Sequence, residues 1–413
     1  MNTFWLCSFL ALFTPSLLAL EQVTIIDEWK NLEFGFDSPE QENYAINKGY
    51  YSPFGMKRLY DTDIYILPNG TWVKFVSVPR LSENLPFTLA TVDDQHSTSN
   101  GPLLRAYPSM NWHLNRTCDG IFGVFRLTVD NVCKRLWVID SGRDFAAKTR
   151  TQKCPPKIVV FDLRTNKIIF SYIIPAEQYI WEQSAFNSIT LNPKQNCLNQ
   201  IAYLTDARVP GMVVFSLEQR TSWRTLSPLY KDDPNYHLAT IAGESFTLPD
   251  GLYCVAPNIK HNTLYFHPYA SLSEMVVPLD IIHNKTLWTS KGEHEHVHTD
   301  AFFQRIGQRP TQSATEAFDA RGNLWFTLFD PLAIVCWNPV NPYSFEYFKI
   351  VIVDEVNLQF VAGLKIQKDP MRGEVLIGSS NRSQKHYNGT ISPDEINYRS
   401  FYLAIQHIDC VNA

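Results

Sequence analysis

The sequence predicts an all-β fold, a six-bladed β-propeller, and three observations carry that prediction. A hairpin unit recurs along the chain, its spacing matches one four-stranded blade, and the composition favours short strands joined by turns. The clearest unit is "DGIFGVFRLTVDNVCKRLWVIDSGR", residues 119–143: an apolar strand, an Asp-Asn turn and a returning apolar strand, with charge at both open ends. The same order recurs at 186–208, 249–268 and 315–331, and in looser form at 361–382. The polar residues that start the first four units are Asp119, Asn187, Asp250 and Glu316, spaced 68, 63 and 66 residues apart. Further strand-like runs such as "PKIVVFDLRTNKIIFSYIIP" lie between the units, giving about four strands in about 65 residues, the size of a propeller blade.

The first blade draws its strands from "KRLYDTDIYILPNGTWVKFVSVP", residues 57–79. With 25 Pro, 18 Gly and 13% aromatic residues, long helices are disfavoured and turns are frequent. Length alone would suit two domains, but residues 21–413 read as one closed ring, because no low-complexity linker divides them. Trp137, Trp325 and Tyr203 occupy strand positions and are assigned to packing between blades.

The opening "MNTFWLCSFLALFTPSLLAL" is apolar to about residue 20, the length of a secretory signal peptide, although it lacks a basic residue near its start. Pro15 and the short span argue against a membrane anchor, and no other stretch is long and apolar enough to cross a bilayer. Export is supported by five N-x-S/T sites, at Asn69, Asn115, Asn284, Asn381 and Asn388. Seven cysteines follow the signal, an odd number, so at least one thiol is left over or pairs between chains. The formal charge of −5 with no basic stripe excludes nucleic acid as an expected partner.

In a propeller the innermost strand of every blade lines one central channel, so residues that start those strands gather at one mouth. The return strands end on the same face. Asp119, Asn187, Asp250 and Glu316 should therefore share a rim with Asp140, Asp206 and Asn381, and these positions, with Arg143 and Arg382, are the expected ligand-binding residues. Such a ring needs an offset. Two carboxylates about 7 Å apart at an effective dielectric near 20 repel by roughly 2 kcal/mol. A bound metal or organic cation, rim arginines (Arg143, Arg208, Arg382), or a carboxyl that keeps its proton would each supply one. No cofactor is expected, with calcium as the alternative that such a ring would admit.

"KGEHEHVHTD" (291–300) places His294, His296 and His298 on one face if extended, a chelating pattern for zinc or copper. Nothing nearby closes a fourth ligand, so the segment is read as a solvated loop between blades. No nucleophile elbow, phosphate loop or H-E-x-x-H motif is present.

From about Trp29 to Asp409 the chain resembles the insect yellow and major royal jelly protein family. The resemblance rests on "LRAYPSMNWH", "CDGIFGVFRL", "LWVIDSGR", "CPPKIVVFDL", "SWR", "DGLYCVA", "TLYFHPYAS", "QSATEAFDARGNLWF", "CWN" and "SSNR", in family order. It implies a secreted, glycosylated six-bladed propeller. Family roles include cuticle pigmentation, eggshell hardening, nutrition in royal jelly and binding of biogenic amines in sand-fly saliva; some yellow-type members convert dopachrome. Two departures bear on function. Ser383 stands where the salivary amine binders carry an aromatic ring, which removes a stacking surface there. Cys254 replaces a residue that is usually small or apolar, which makes it the expected free, buried thiol; the other six cysteines then pair, with Cys336–Cys410 as one bridge.

Three functions follow. The favoured one is a non-catalytic extracellular protein that binds a small aromatic or catechol-derived ligand, or matrix proteins, during hardening or pigmentation of cuticle or eggshell. The second is a dopachrome-converting tautomerase, with a base among Asp119, Asp140, Asp250 and Glu316 and an oxyanion holder in Arg143 or Arg382; the spacing singles out no catalytic residue. The third is a calcium-dependent lactonase-like site at Asn187, Asp250 and Glu316. Glycans are expected on Asn69, Asn115, Asn284 and Asn388, and not on Asn381, which would line the channel.

Overall fold

The structure, a computed structural model, describes residues 20–54, 57–81, 84–114, 116–144, 151–193, 196–289 and 300–411. Nearly all of the expected signal peptide (residues 1–19), the sequon residue Asn115 and His294, His296 and His298 lie outside the described residues. Six antiparallel sheets surround one channel as a six-bladed β-propeller. The inner strands, in blade order, are Asp61–Ile66, Val124–Asp130, Phe186–Leu191, Leu252–Asn258, Glu316–Phe318 and Phe360–Asp369. Three further strands extend each blade outward, and blade 1 adds a short parallel strand, Phe34–Gly35. No described helix is long and apolar enough to cross a membrane.

The recurrent hairpins are the two innermost strands of blades 2 to 6. Middle strands such as Gly211–Ser216 and Leu332–Trp337 are buried at every position because each blade is sandwiched between two others. That is why they read as unbroken apolar runs. The outer strand Lys167–Ile173 instead alternates between half-buried and exposed positions. Trp137 packs with Ile189, Leu204 and Phe215 between blades 2 and 3, and Trp325 with Leu364 and Phe401 between blades 5 and 6. The ring is closed by the N-terminal strand Thr24–Trp29, which pairs antiparallel with Tyr398–Ala404 as the outermost strand of blade 6. Disulfides Cys133–Cys197 and Cys336–Cys410 link successive blades, Cys118–Cys154 clasps two loops of blade 2, and Cys254 is unpaired and buried.

Inner strands of neighbouring blades do not pair with one another, so their channel-facing main-chain groups need other partners. Side chains supply them. Asp61 accepts from the Leu127 amide at 3.0 Å and Asp63 from the Val129 amide at 2.7 Å, joining blade 1 to blade 2. Lys365 and Gln367 of blade 6 reach the same two carboxylates at 3.1 and 2.8 Å. Arg126 spans the channel: its guanidinium donates to the carbonyls of Ala362, Tyr253 and Ala314 at 2.9, 3.1 and 2.8 Å. These carbonyls belong to blades 6 and 4 and to the lead-in of blade 5. One side chain thus ties four sectors of the ring.

Replacing Arg126 with Met leaves three buried carbonyls without a donor, and we expect a loss of about 3 kcal/mol or more in denaturant unfolding. A change under about 1 kcal/mol would show that these bonds do not hold the ring. Acid should weaken the fold through two imidazoles, since burial pushes His113 and His386 down to about 3. Their folded values lie below the unfolded one, so the stability they allow is full above about 6.5 and is lost as pH falls toward 3, at about 2 kcal/mol each by pH 5. His386→Gln should flatten that slope in a pH series of melting curves.

Candidate functional site

The starts of the inner strands and the ends of the second strands converge on one mouth of the channel, and an aromatic cluster fills it. Tyr60, Phe125, Tyr253, Tyr269, Phe329 and Phe360 are all buried and mutually packed. Ring centroids lie 5.2 Å apart for Tyr60–Phe125 and Tyr253–Tyr269, and 5.6 Å for Phe329–Phe360. Arg126 forms the floor, its guanidinium 4.9 Å from the Tyr253 ring and 6.0 Å from that of Tyr60. Above lie a hairpin, Leu238–Ile241 with Glu244–Thr247, and a short helix, Ser383–Asn388. Phe246 of the hairpin stacks on Tyr387 of the helix at 5.0 Å, and Asn388 donates to the Ser245 carbonyl at 3.1 Å. Together they cap the mouth.

The polar groups here are few. The Tyr60 and Tyr253 hydroxyls hydrogen bond to one another. Asn187 donates to the Tyr253 carbonyl at 3.2 Å and accepts from Thr205 at 2.6 Å. Asp250 is the carboxylate beside the phenols and lies 2.8 Å from Nε of Arg208. Burial, reinforced by Asp250, pushes the Tyr253 and Tyr269 phenols well above their ordinary range, and burial pushes Tyr60 up to about 12. All three therefore remain neutral hydroxyls at physiological pH. The Tyr269 hydroxyl is buried with no hydrogen-bond partner among the described residues. Such an orphan is costly, on the order of 1–3 kcal/mol, and marks a place where a polar group would be welcome.

Only part of the expected rim is found here. Asp250 and Asn187 belong to the mouth. Asp119 does not: it is exposed on a turn, and its inner strand begins five residues later, at Val124. Asp140 is buried but turned into its own blade, accepting from the amides of Phe122, Gly123 and Gly142 at 2.9, 2.7 and 3.0 Å. Asp206 does the same for Ala185 at 2.8 Å and Val209 at 3.2 Å, and takes Arg224 at 3.1 Å. Both acids are clasps that hold the lead-in of an inner strand, so the expected ring of carboxylates facing the channel is not formed. Arg143 is buried and donates to the Ser184 carbonyl at 2.8 Å, while Arg382 pairs with Glu395. Asn381 is buried and donates to the Leu59 carbonyl at 2.8 Å. Glu316 is buried between blades 4 and 5, 3.2 Å from His267. Asn187 accepts from Thr205, Asp250 pairs with Arg208, and Glu316 lies against His267.

Sequence reasoning missed Arg126, Tyr60, Tyr253 and Tyr269. Arg126 carried a signal: an arginine inside "FGVFRLTV", an otherwise apolar inner strand, must be buried and so needs several acceptors. The tyrosines carried none that separates them from packing residues. A cavity of about 470 Å³ lies away from the channel residues, beside Lys48, Tyr50, Arg116 and Lys153.

Comparison with known proteins finds relatives over most of the chain. Residues 122–410 match the family model described as "Major royal jelly protein". The chain is 30% identical over 399 residues to a Drosophila melanogaster protein named "Dopaminechrome tautomerase", covering 94% of this chain and 83% of that one. It is 28% identical over 389 residues to "Major royal jelly protein 7" of Apis mellifera, covering 91% and 83%. Among solved structures, the PQQ-bound aldose sugar dehydrogenase of Streptomyces coelicolor aligns over 93% of this chain and 99% of that one, with 11% identity and a TM-score of 0.45. On the family match and the near full-length relatives, this chain belongs to the major royal jelly protein family, which includes yellow-type proteins.

Proposed function

We propose that this protein is secreted and holds a small aromatic, catechol-derived molecule at the capped mouth of its channel, serving pigmentation or hardening of cuticle or eggshell. The observation that carries the reading is the unpartnered Tyr269 hydroxyl among aromatic rings, beside the Asp250 carboxylate. Rings suit a flat aromatic guest, the carboxylate suits an amine, and a phenolic hydroxyl suits a catechol oxygen. Because Phe246 and Tyr387 cover the cluster, entry requires the hairpin and helix to part. Three disulfides fit an oxidising compartment.

A second reading is favoured by the Drosophila relative named as a dopaminechrome tautomerase. Asp250 would take the ring C–H proton, the neutral phenols would donate toward the quinone oxygens, and the net change would be an isomerisation without any redox partner.

Titration with dopamine should give saturable binding that Asp250→Asn weakens about tenfold, equivalent to about 1.4 kcal/mol, and Tyr269→Phe by a smaller factor. Wild-type protein that binds neither dopamine nor dopaminechrome would contradict the reading. In the tautomerase case the protein speeds loss of dopaminechrome colour, and Asp250→Asn removes about 100-fold or more of that rate. Glycopeptide mapping should find glycans among the exposed Asn69, Asn284 and Asn388, and none on Asn381, which is only 2% exposed. A fully occupied Asn381 would place that residue outside the folded interior.

A further inference from the structure

A second polar cluster lies between blades 4 and 5, apart from the reading above. Cys254 and His267 are cross-strand partners on the two inner strands of blade 4, and Glu316 opens the inner strand of blade 5. One donor atom from each of the three lies within 4.8 Å of the others, and all three residues are buried. Neither carboxylate oxygen of Glu316 makes a hydrogen bond, although Oε2 is within ion-pair reach of His267 Nδ1 at 3.2 Å. Glu274 stands beside them. Its Oε2 takes Arg309, Tyr343 and His267, while its Oε1 is also without a donor. Two fully buried carboxylates with three unsatisfied oxygens face one guanidinium, an arrangement that calls for further positive charge.

We propose that Cys254, His267 and Glu316 bind a divalent cation of the zinc class. The Cys254 thiolate, Nδ1 of His267 and a Glu316 oxygen are three ligands, with Glu274 next to the fourth position. Sγ lies 3.9 Å from Nδ1 and 3.2 Å from Nε2, and Nδ1 lies 3.2 Å from the Glu316 oxygen. Tetrahedral ligands with bonds of about 2.0–2.3 Å sit roughly 3.3–3.7 Å apart, so the Cys254 thiol must turn from the Nε2 edge of the ring toward Nδ1 to complete the geometry. Nε2 lies 3.2 Å from the Ser313 carbonyl, which fixes the ring with Nδ1 toward the metal. A thiolate with an imidazole disfavours calcium and magnesium, which prefer all-oxygen sites. Charges balance: a dication and Arg309 against one thiolate and two carboxylates. The ion would fasten blade 4 to blade 5, a junction that none of the three disulfides crosses.

The test is elemental analysis of the secreted, full-length protein, purified without a metal-affinity step and dialysed against metal-free buffer. The expected result is about one zinc per chain. Exchange into cobalt should give a thiolate-to-cobalt charge-transfer band that Cys254→Ser abolishes. Chelation should lower the melting temperature of the wild type. Natively folded wild-type protein that contains no metal and takes up neither zinc nor cobalt would overturn the proposal, with His267 protonated to supply the missing charge. So would a cobalt band that persists in folded Cys254→Ser. Neither wild-type measurement depends on whether a variant folds.

Discussion

Six inner strands surround the channel without pairing to one another, and the fold depends on how their leftover main-chain groups are satisfied. In this chain the work is done by buried charge. Asp61 and Asp63 accept amides from the next blade, Lys365 and Gln367 close on the same carboxylates, and Arg126 gathers carbonyls from three directions. Removing a donor from such a network strands buried polar atoms, so substitutions at these residues are expected to be costly. Hydrophobic packing between blades supplies bulk stabilisation, but it does not specify how the ring meets at its axis.

That network also limits where the proposed ligand can sit. The lower channel is filled by Asp61, Asp63, Lys365 and Gln367, and Arg126 seals it from above. What remains is the mouth, where the aromatic cluster rests on the guanidinium and lies beneath the hairpin and the short helix. The proposed site is therefore apolar and capped, with Asp250 as its acid. A ring of carboxylates would have suited a hard metal ion; a single carboxylate amid phenyl and phenol rings suits an organic guest with a positive or polar edge. The softer metal-ligand set lies off the axis, between two blades.

The fold was legible because a blade is a repeat, and repeats survive in spacing and apolar pattern. The five hairpins and their intervals located most of the inner strands. Asp119 shows the limit of that method. Its unit has the right order, yet a loop of four residues, 120–123, intervenes before Val124, and hairpin periodicity does not count loop residues. Asp140 and Asp206 were placed on the correct face with the wrong orientation: an acid at a strand end can face the pore or cap its neighbour's amides, and sequence does not distinguish the two. Glu316 was correctly placed at a strand start but points sideways, toward His267. The aromatic cluster was least visible, because a tyrosine that lines a site and one that packs between blades follow the same pattern. Arg126 was visible in principle, as a charge where the strand had no reason to carry one.

The claim most exposed to test is that the mouth above Arg126 is the ligand site. Diffraction from crystals soaked with dopamine measures it directly. The account predicts ring density among Tyr60, Tyr253 and Tyr269, with the amine against Asp250 and the hairpin displaced from the helix. Density confined to the peripheral cavity beside Arg116 and Lys153, with the aromatic cluster unmoved, would contradict it.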